Sequence, residues 1–325
     1  LRRRAQGGAA LLMALLSVAL IVSLAGSMVW LQQRAIEVES AERARADAGW
    51  ILLGALDWSR LILREDGRSS RIDHAGEPWA TPLAEARLST FLAADGQSSL
   101  TADDGPQAFL SGSVVDAQAK YNLRNLVSPQ GLIVPEEQAV LSRLCVAAGL
   151  PQGTAGKIAE ALVGTWGLRE AGTPLANTKP VPIRRYEQLT WLGLEPGTVA
   201  ALQASADILP SPTPINVNTA PREVLAAVLN VDLGVAERIA QHRQRNPFAN
   251  LEELRALLPQ GPAPDSRRAA VNTTHFLVRG RLRLDERVLE EQSLVMRRGS
   301  GGGTEVITLH RERRSLQLSS GAPAS

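Results

Sequence analysis

From Ala9 to Leu31 the chain reads AALLMALLSVALIVSLAGSMVWL, without a charge. A helix needs about 20 apolar residues to cross the hydrocarbon core of a bilayer. A buried helix of a soluble protein would normally keep a polar face, and this stretch has none. It therefore predicts a membrane-spanning helix over residues 9–31. Arg2, Arg3 and Arg4 precede it, so the positive-inside rule leaves that end in the cytoplasm and puts the rest of the chain on the far side.

Past the span the pattern changes twice. Residues 34–47 are charged (Glu37, Glu39, Glu42, Arg43, Arg45, Asp47), and Glu39 with Arg43 forms a helical i,i+4 pair. Trp50, Leu53, Trp58, Leu61 and Ile62 then recur at near-helical spacing. No proline interrupts Gly8 to Gly76, so one helix is expected to run from the membrane into the globular part. Asp73 to Ala80 is rich in turn residues, and His74 there reads as a loop contact rather than a ligand.

Short apolar runs from Ala108 to Asn122 predict strands. From Ser128 to Val271 the pattern is helical. Pro135-Glu136-Glu137 makes a good first turn, with Val140, Leu141, Leu144, Cys145 and Ala148 on one face and Gly149 and Pro151 as the stop. Cys145 lies within that apolar stripe and reads as a small core residue. A second helix is expected over 155–166. Strands return at 274–284, 288–296 and 304–310, the last two separated by the loop Gly299-Ser300-Gly301-Gly302-Gly303, and a disordered tail is expected from 314. Strands on both sides of a helical block imply an α+β fold in which an antiparallel sheet receives a large inserted all-α domain.

The most informative stretch opens at Asn216-Val217-Asn218-Thr219-Ala220-Pro221. Asn218 or Thr219 is expected to cap a short helix ending at Leu229. A turn at 230–234 then leads to a second helix, Val235 to Arg245, and on to Pro247-Phe248 and Leu251-Glu252-Glu253-Leu254. This has the form of a helix-hairpin-helix unit. Units that grip DNA use a Gly-apolar-Gly hairpin whose bare N–H groups approach phosphate. Here the triplet is Asp232-Leu233-Gly234, and an acid repels phosphate. Between 216 and 260 five arginines face five acids. Counterion release needs a cationic excess that this segment lacks, so nucleic acid is not an expected partner.

Composition supports that exclusion. The formal charge is +2, with 35 basic and 33 acidic residues, and the excess is the Arg2–Arg4 cluster. A single cysteine excludes an internal disulfide and a thiolate-rich metal site. The four histidines are scattered, and no H-E-x-x-H, G-x-S-x-G or S-x-x-K motif appears, so no enzyme class is indicated.

Two local patterns carry a resemblance. The first is the leader. Ala25-Gly26-Ser27 is a poor signal-peptidase site, but Arg4-Ala5-Gln6-Gly7-Gly8 followed by Ala9-Ala10-Leu11-Leu12 resembles the type III signal of type IV pilins and pseudopilins. The resemblance implies cleavage by a prepilin peptidase between Gly8 and Ala9, with Gly7 as the alternative, and N-methylation of Ala9. Counting from Ala9, the fifth residue is Met13, where most such subunits carry a glutamate that pairs with a neighbour's amine. The second pattern is Asp116-Ala117-Gln118-Ala119-Lys120-Tyr121-Asn122-Leu123-Arg124-Asn125-Leu126, an acid and a turn followed by an Asn-Leu-x-Asn-Leu segment whose asparagines are expected to bond turn backbone.

With the missing glutamate and the Asn-x-Asn-Thr-Ala unit at 216–220, the ordered set resembles the K-type minor pseudopilins of type II secretion systems from about Arg4 to Arg314. The resemblance implies a leader (1–8), a membrane helix (9–31), a pilin-like α+β domain (32–127 and 272–313), an inserted helical domain (128–271) and a tail (314–325). It implies a non-enzymatic assembly subunit at the tip of a periplasmic pseudopilus, anchored once in a bacterial inner membrane. Its partners would be I- and J-type minor pseudopilins, other pseudopilins, the inner-membrane secretion platform and the prepilin peptidase.

One departure bears on cofactors. Some relatives bind calcium through an acidic loop after the second inserted helix. Here Ala161 to Glu170 carries one carboxylate, and Arg184-Arg185-Tyr186 follows later. Calcium takes six to eight oxygens, usually with several carboxylates, so no cofactor is expected. The alternative functions are a membrane-anchored, periplasmic helix-hairpin-helix DNA-binding protein and a periplasmic hydrolase with a site assembled only in space.

Overall fold

A single helix, α1 (Gly7–Ser69), carries the apolar N-terminal stretch and continues through the charged segment, as the absence of proline predicts. The structure, a computed structural model, describes residues 7–88, 108–166, 182–259, 264–284, 287–299 and 301–317. The chain divides into two units, Leu1–Gly54 and Ala55–Ser325. Along 9–31 of the first unit every residue is exposed.

The second unit is built on a five-stranded antiparallel sheet of order β1-β2-β7-β8-β9. Its strands are β1 (Leu83–Arg87), β2 (Ala108–Asp116), β7 (His275–Leu284), β8 (Arg287–Arg298) and β9 (Glu305–Gln317). Strands β2 and β7 pair in unbroken register from Ala108↔Leu284 to Asp116↔Phe276. Everything between 117 and 274 therefore occupies the place of a hairpin loop. One face of the sheet packs its small core, where Phe276, Val278, Val295 and Val306 meet Leu56 and Leu63 of α1 and the buried Trp79. Trp79 and Phe276 meet edge to face, with centroids 5.2 Å apart.

Two sheet expectations are revised. Strand β9 runs to Gln317, so the boundary placed at 314 falls inside a strand. The strand expected over 304–310 also continues through a charged run, in which Arg313 and Arg311 bind opposite oxygens of the buried Glu291, at 2.7 and 3.2 Å. Strand β1 was not expected at all. Its five residues show no apolar alternation and only Ala86 is half-buried.

The inserted block contains α2 (Pro135–Ala147), α3 (Thr154–Trp166), α4 (Pro196–Leu202), α5 (Arg222–Leu229), α6 (Leu233–Arg245) and α7 (Leu251–Arg255). It is not purely helical. Two short parallel pairs, β3 (Tyr121–Asn122) with β4 (Ala206–Asp207) and β5 (Ile215–Asn216) with β6 (Ala269–Ala270), tie each of its ends to the middle segment 206–216. Leu141, Leu144, Ile158, Leu162, Val224, Ile239 and Phe248 fill its core. Tyr121, Leu123 and Leu126 are buried there too, so the boundary drawn at 128 was late. Helical periodicity marks where helices begin, whereas a core also recruits the extended chain leading into them. Helix α2 ends where Gly149 takes φ +70°, a left-handed conformation that favours glycine.

Candidate functional site

The N-terminal helix offers an unpartnered apolar surface. Among the described residues it alone is long and apolar enough to cross a membrane, and its most apolar window is wholly exposed. Two serine hydroxyls in the apolar run are satisfied within the helix. The hydroxyl of Ser17 donates to the Met13 carbonyl and that of Ser27 to the Leu24 carbonyl, each at 2.8 Å. Gly8 and Ala9 lie within α1, and Gly7 is its first residue. Met13 is exposed and presents an uncharged thioether, which needs no partner in hydrocarbon as a carboxylate would. The guanidinium of Arg34 sits 5.6 Å from the Trp30 ring centroid. An aromatic and a cation at the end of an apolar run are the residue types enriched at membrane–water interfaces, a pairing the apolar pattern alone did not reveal. Glu39 and Arg43 pair as expected, and both are exposed.

Within the second unit, a polar seam lies where the helical block meets the sheet. The last turns of α1 supply Asp66, the crossing after it supplies Asp73 and Glu77, and β8 supplies Arg297. The Arg297 guanidinium donates to Asp66 Oδ2 at 2.6 Å and to Asp73 Oδ1, and it stacks on Phe276 at 4.9 Å. Asp73 also accepts the Thr273 N–H at 2.8 Å, while Glu77 accepts from the Trp79 indole and the His74 N–H. Burial is the main reason the Asp66 carboxyl is pushed up to about 6, and it raises that of Asp73 as well. The three carboxylates lie within 4.8 Å of one another, but Arg297 already fills the space between two of them, so no cation site is assigned. His74 has the loop role expected of it, accepting the Gly76 N–H at its Nδ1.

The seam continues through Asp116, the last residue of β2. Its Oδ1 accepts the Gln118 N–H at 2.7 Å. Its Oδ2 accepts from the Asn216 amide at 2.8 Å and the Thr219 hydroxyl at 2.6 Å. The same Asn216 amide donates to the Asp73 carbonyl at 2.9 Å. Complete burial pushes the Asp116 carboxyl up to about 6, although hydrogen bonds offset part of that effect. Neighbouring His275 is buried and its basicity is lowered by burial. Its Nδ1 faces Thr274 Oγ1 at 2.9 Å.

The asparagines do more than the sequence implied. Asn122 and Asn125 were expected to bond turn backbone. Asn122 does accept the Arg124 N–H, but it also donates to the Ser211 carbonyl, and Asn125 exchanges two bonds with the backbone of Thr213. These asparagines staple the start of the block to its middle segment at 211–213. Neither Asn218 nor Thr219 caps α5, whose N-cap is Pro221. Asn218 instead donates to the carbonyls of Phe248 and Val271 and accepts the Phe248 N–H. Thr219 turns its hydroxyl to Asp116. Asp232 caps α6 by accepting the Val235 N–H at 2.8 Å, so the acid that repels phosphate has a structural task. The helix also begins at Leu233, two residues before the expected Val235. Cys145 is buried and its thiol is pushed up to about 11, which keeps it protonated. Of the stretch weighed for calcium, 161–166 form the end of α3, and 167–170, which hold its one carboxylate, Glu170, lie outside the described residues.

A family model described as type II secretion system protein K matches residues 215–278, the stretch that holds Asn216, Asn218, the helix pair and Thr273. A type II secretion system protein K of Pseudomonas aeruginosa is 28% identical over 94% of this chain and 92% of its own length. The second likeness is one of fold. A chain of the GspK-GspI-GspJ complex from the enterotoxigenic Escherichia coli type 2 secretion system superposes with a TM-score of 0.62 at 18% identity, covering 84% of this chain and 98% of that one. Along nearly its whole length the chain is similar in sequence to a type II secretion system protein K, and its fold is similar to that of a chain of the GspK-GspI-GspJ complex.

Proposed function

We propose that the chain is a K-type minor pseudopilin, a structural subunit at the tip of the type II secretion pseudopilus that supports protein export across the outer membrane. The observation that carries the reading is the sequence match to a protein K across almost all of both chains, from the apolar helix to the last strand. On this reading the helix over 9–31 is a single-pass anchor in the inner membrane, and residues beyond it are periplasmic. The leader is cut after Gly8, and Ala9 becomes the methylated first residue. Met13 then suits a subunit that starts the fibre, because no earlier subunit offers an amine for a glutamate there to meet. The role is one of assembly rather than catalysis, and no cofactor is assigned.

The test is co-purification of the full chain, in detergent, with I- and J-type minor pseudopilins from the same source. A stable one-to-one-to-one complex is the expected result. Absence of a complex at micromolar concentrations, with retention on duplex DNA at low salt, would favour an anchored DNA-binding protein instead.

A further inference from the structure

The Asp116 carboxylate joins the sheet to the helical block, and every group that donates to it is neutral. Its Oδ1 takes a backbone N–H and its Oδ2 takes an amide and a hydroxyl, the latter two from block residues Asn216 and Thr219. An anion in such a place keeps its hydrogen bonds but has lost its solvent. A neutral acid there keeps the same neighbours. The Thr219 hydroxyl can turn from donor to acceptor and receive the new O–H. We propose that the seam is a proton-controlled joint, in which uptake of a proton at Asp116 tightens the hold of the helical block on the sheet, so that the joint is firmer in mildly acidic surroundings than at neutral pH.

The direction follows from which state holds the proton more tightly. In the closed joint the Asp116 carboxyl titrates at about 6, well above the 3.8 of an open, solvated aspartate. Closing is therefore favoured fully below the open-state value, and that advantage is lost as pH rises through 6. The other charged groups around the joint come from each element packed on it. Asp66 of α1 and Asp73 of the crossing are raised by burial and act in the same sense. Glu77 adds a third carboxylate to their cluster and Arg297 of β8 is its cation. Arg243 of α6 donates to the carbonyl of Val217, beside Asn216. His275 of β7 opposes the effect. Burial holds its ring neutral, so acid favours any opening that exposes it.

Amide hydrogen exchange on the full chain in detergent, corrected for intrinsic rates and followed from pH 7.5 to 5, tests the joint. The reporters are Gln118 and Thr273, whose N–H groups are bonded to Asp116 and Asp73. Core amides of α2 are the reference. The expected result is about tenfold stronger protection of the seam amides at pH 5, with the reference unchanged, one pKa unit being one factor of ten. Asp116→Asn should abolish most of that gain at Gln118, and His275→Gln should enlarge it. A flat or falling profile in the unaltered chain overturns the proposal, whatever the variants do. So does a full gain retained in Asp116→Asn, or a gain lost in His275→Gln.

Discussion

The two cores of the second unit are held by different means. The helical block is filled by mostly aliphatic side chains from six helices and the extended chain between them, and its stability is a matter of volume. The sheet's core is a small cluster around Phe276, and its edge rests on Arg297, a cation between two acids and over a ring. A large core tolerates local loss because many contacts share the load. A small one that depends on a buried ion pair has little redundancy, and breaking the pair leaves the surviving charge without a partner.

That contrast can be broken most directly at Arg297. Arg297→Met keeps the apolar stem but strands Asp66 and Asp73, and a loss of about 3–5 kcal/mol is expected in denaturant unfolding at pH 7.5. The loss should shrink at pH 5. Asp66, with its carboxyl near 6, is then protonated and no longer needs a cation. A loss below about 1 kcal/mol at pH 7.5, where a broken buried pair costs several times that, would mean the sheet core stands on its apolar contacts alone. Next in size, Leu162→Ala removes a fully buried side chain from the helical core and should cost about 3 kcal/mol. If it costs more than Arg297→Met, the comparison is reversed. Asn218→Ala removes three hydrogen bonds that tie the segment before the helix pair to Phe248 after it and to Val271, and about 2 kcal/mol is expected. The smallest effect belongs to Val146→Ser on the exposed face of α2, within about 0.5 kcal/mol of zero by the same unfolding measurement.

The parts of this molecule legible in sequence are those written as local pattern. The uncharged run at 9–31, the proline-free helix, the helix pair after Asn216 and the returning strands each announce themselves within a window of a few turns. Some boundaries were misread because pattern does not report partners. Tyr121 and Leu123 look like the end of a strand segment yet belong to the helical core. The last strand was expected to stop at 310 and a tail to begin at 314, yet the Arg311–Arg314 run continues the strand, with Glu291 paired across from Arg313. The seam was not legible at all. Asp66, Asp73, Asp116, Asn216 and Arg297 come from five separated places in the chain, and nothing in a single sequence says that they meet. Asn218 was singled out correctly and given the wrong task, because an asparagine before a proline-led helix is commonly a cap.

The direct pairing of β2 with β7 also constrains the order in which the chain can fold. These strands are neighbours in the sheet but are separated by residues 117–274, so a chain that paired them first would have to close that loop while it was still unstructured. Closure entropy grows with loop length, and long-range pairings of this kind slow folding. A block already folded by its own local contacts lowers that penalty, because β3 with β4 and β5 with β6 hold each of its ends to the one middle segment, 206–216. A chain that folds by this cheaper route forms the inserted block first and completes the sheet last, with the final three strands.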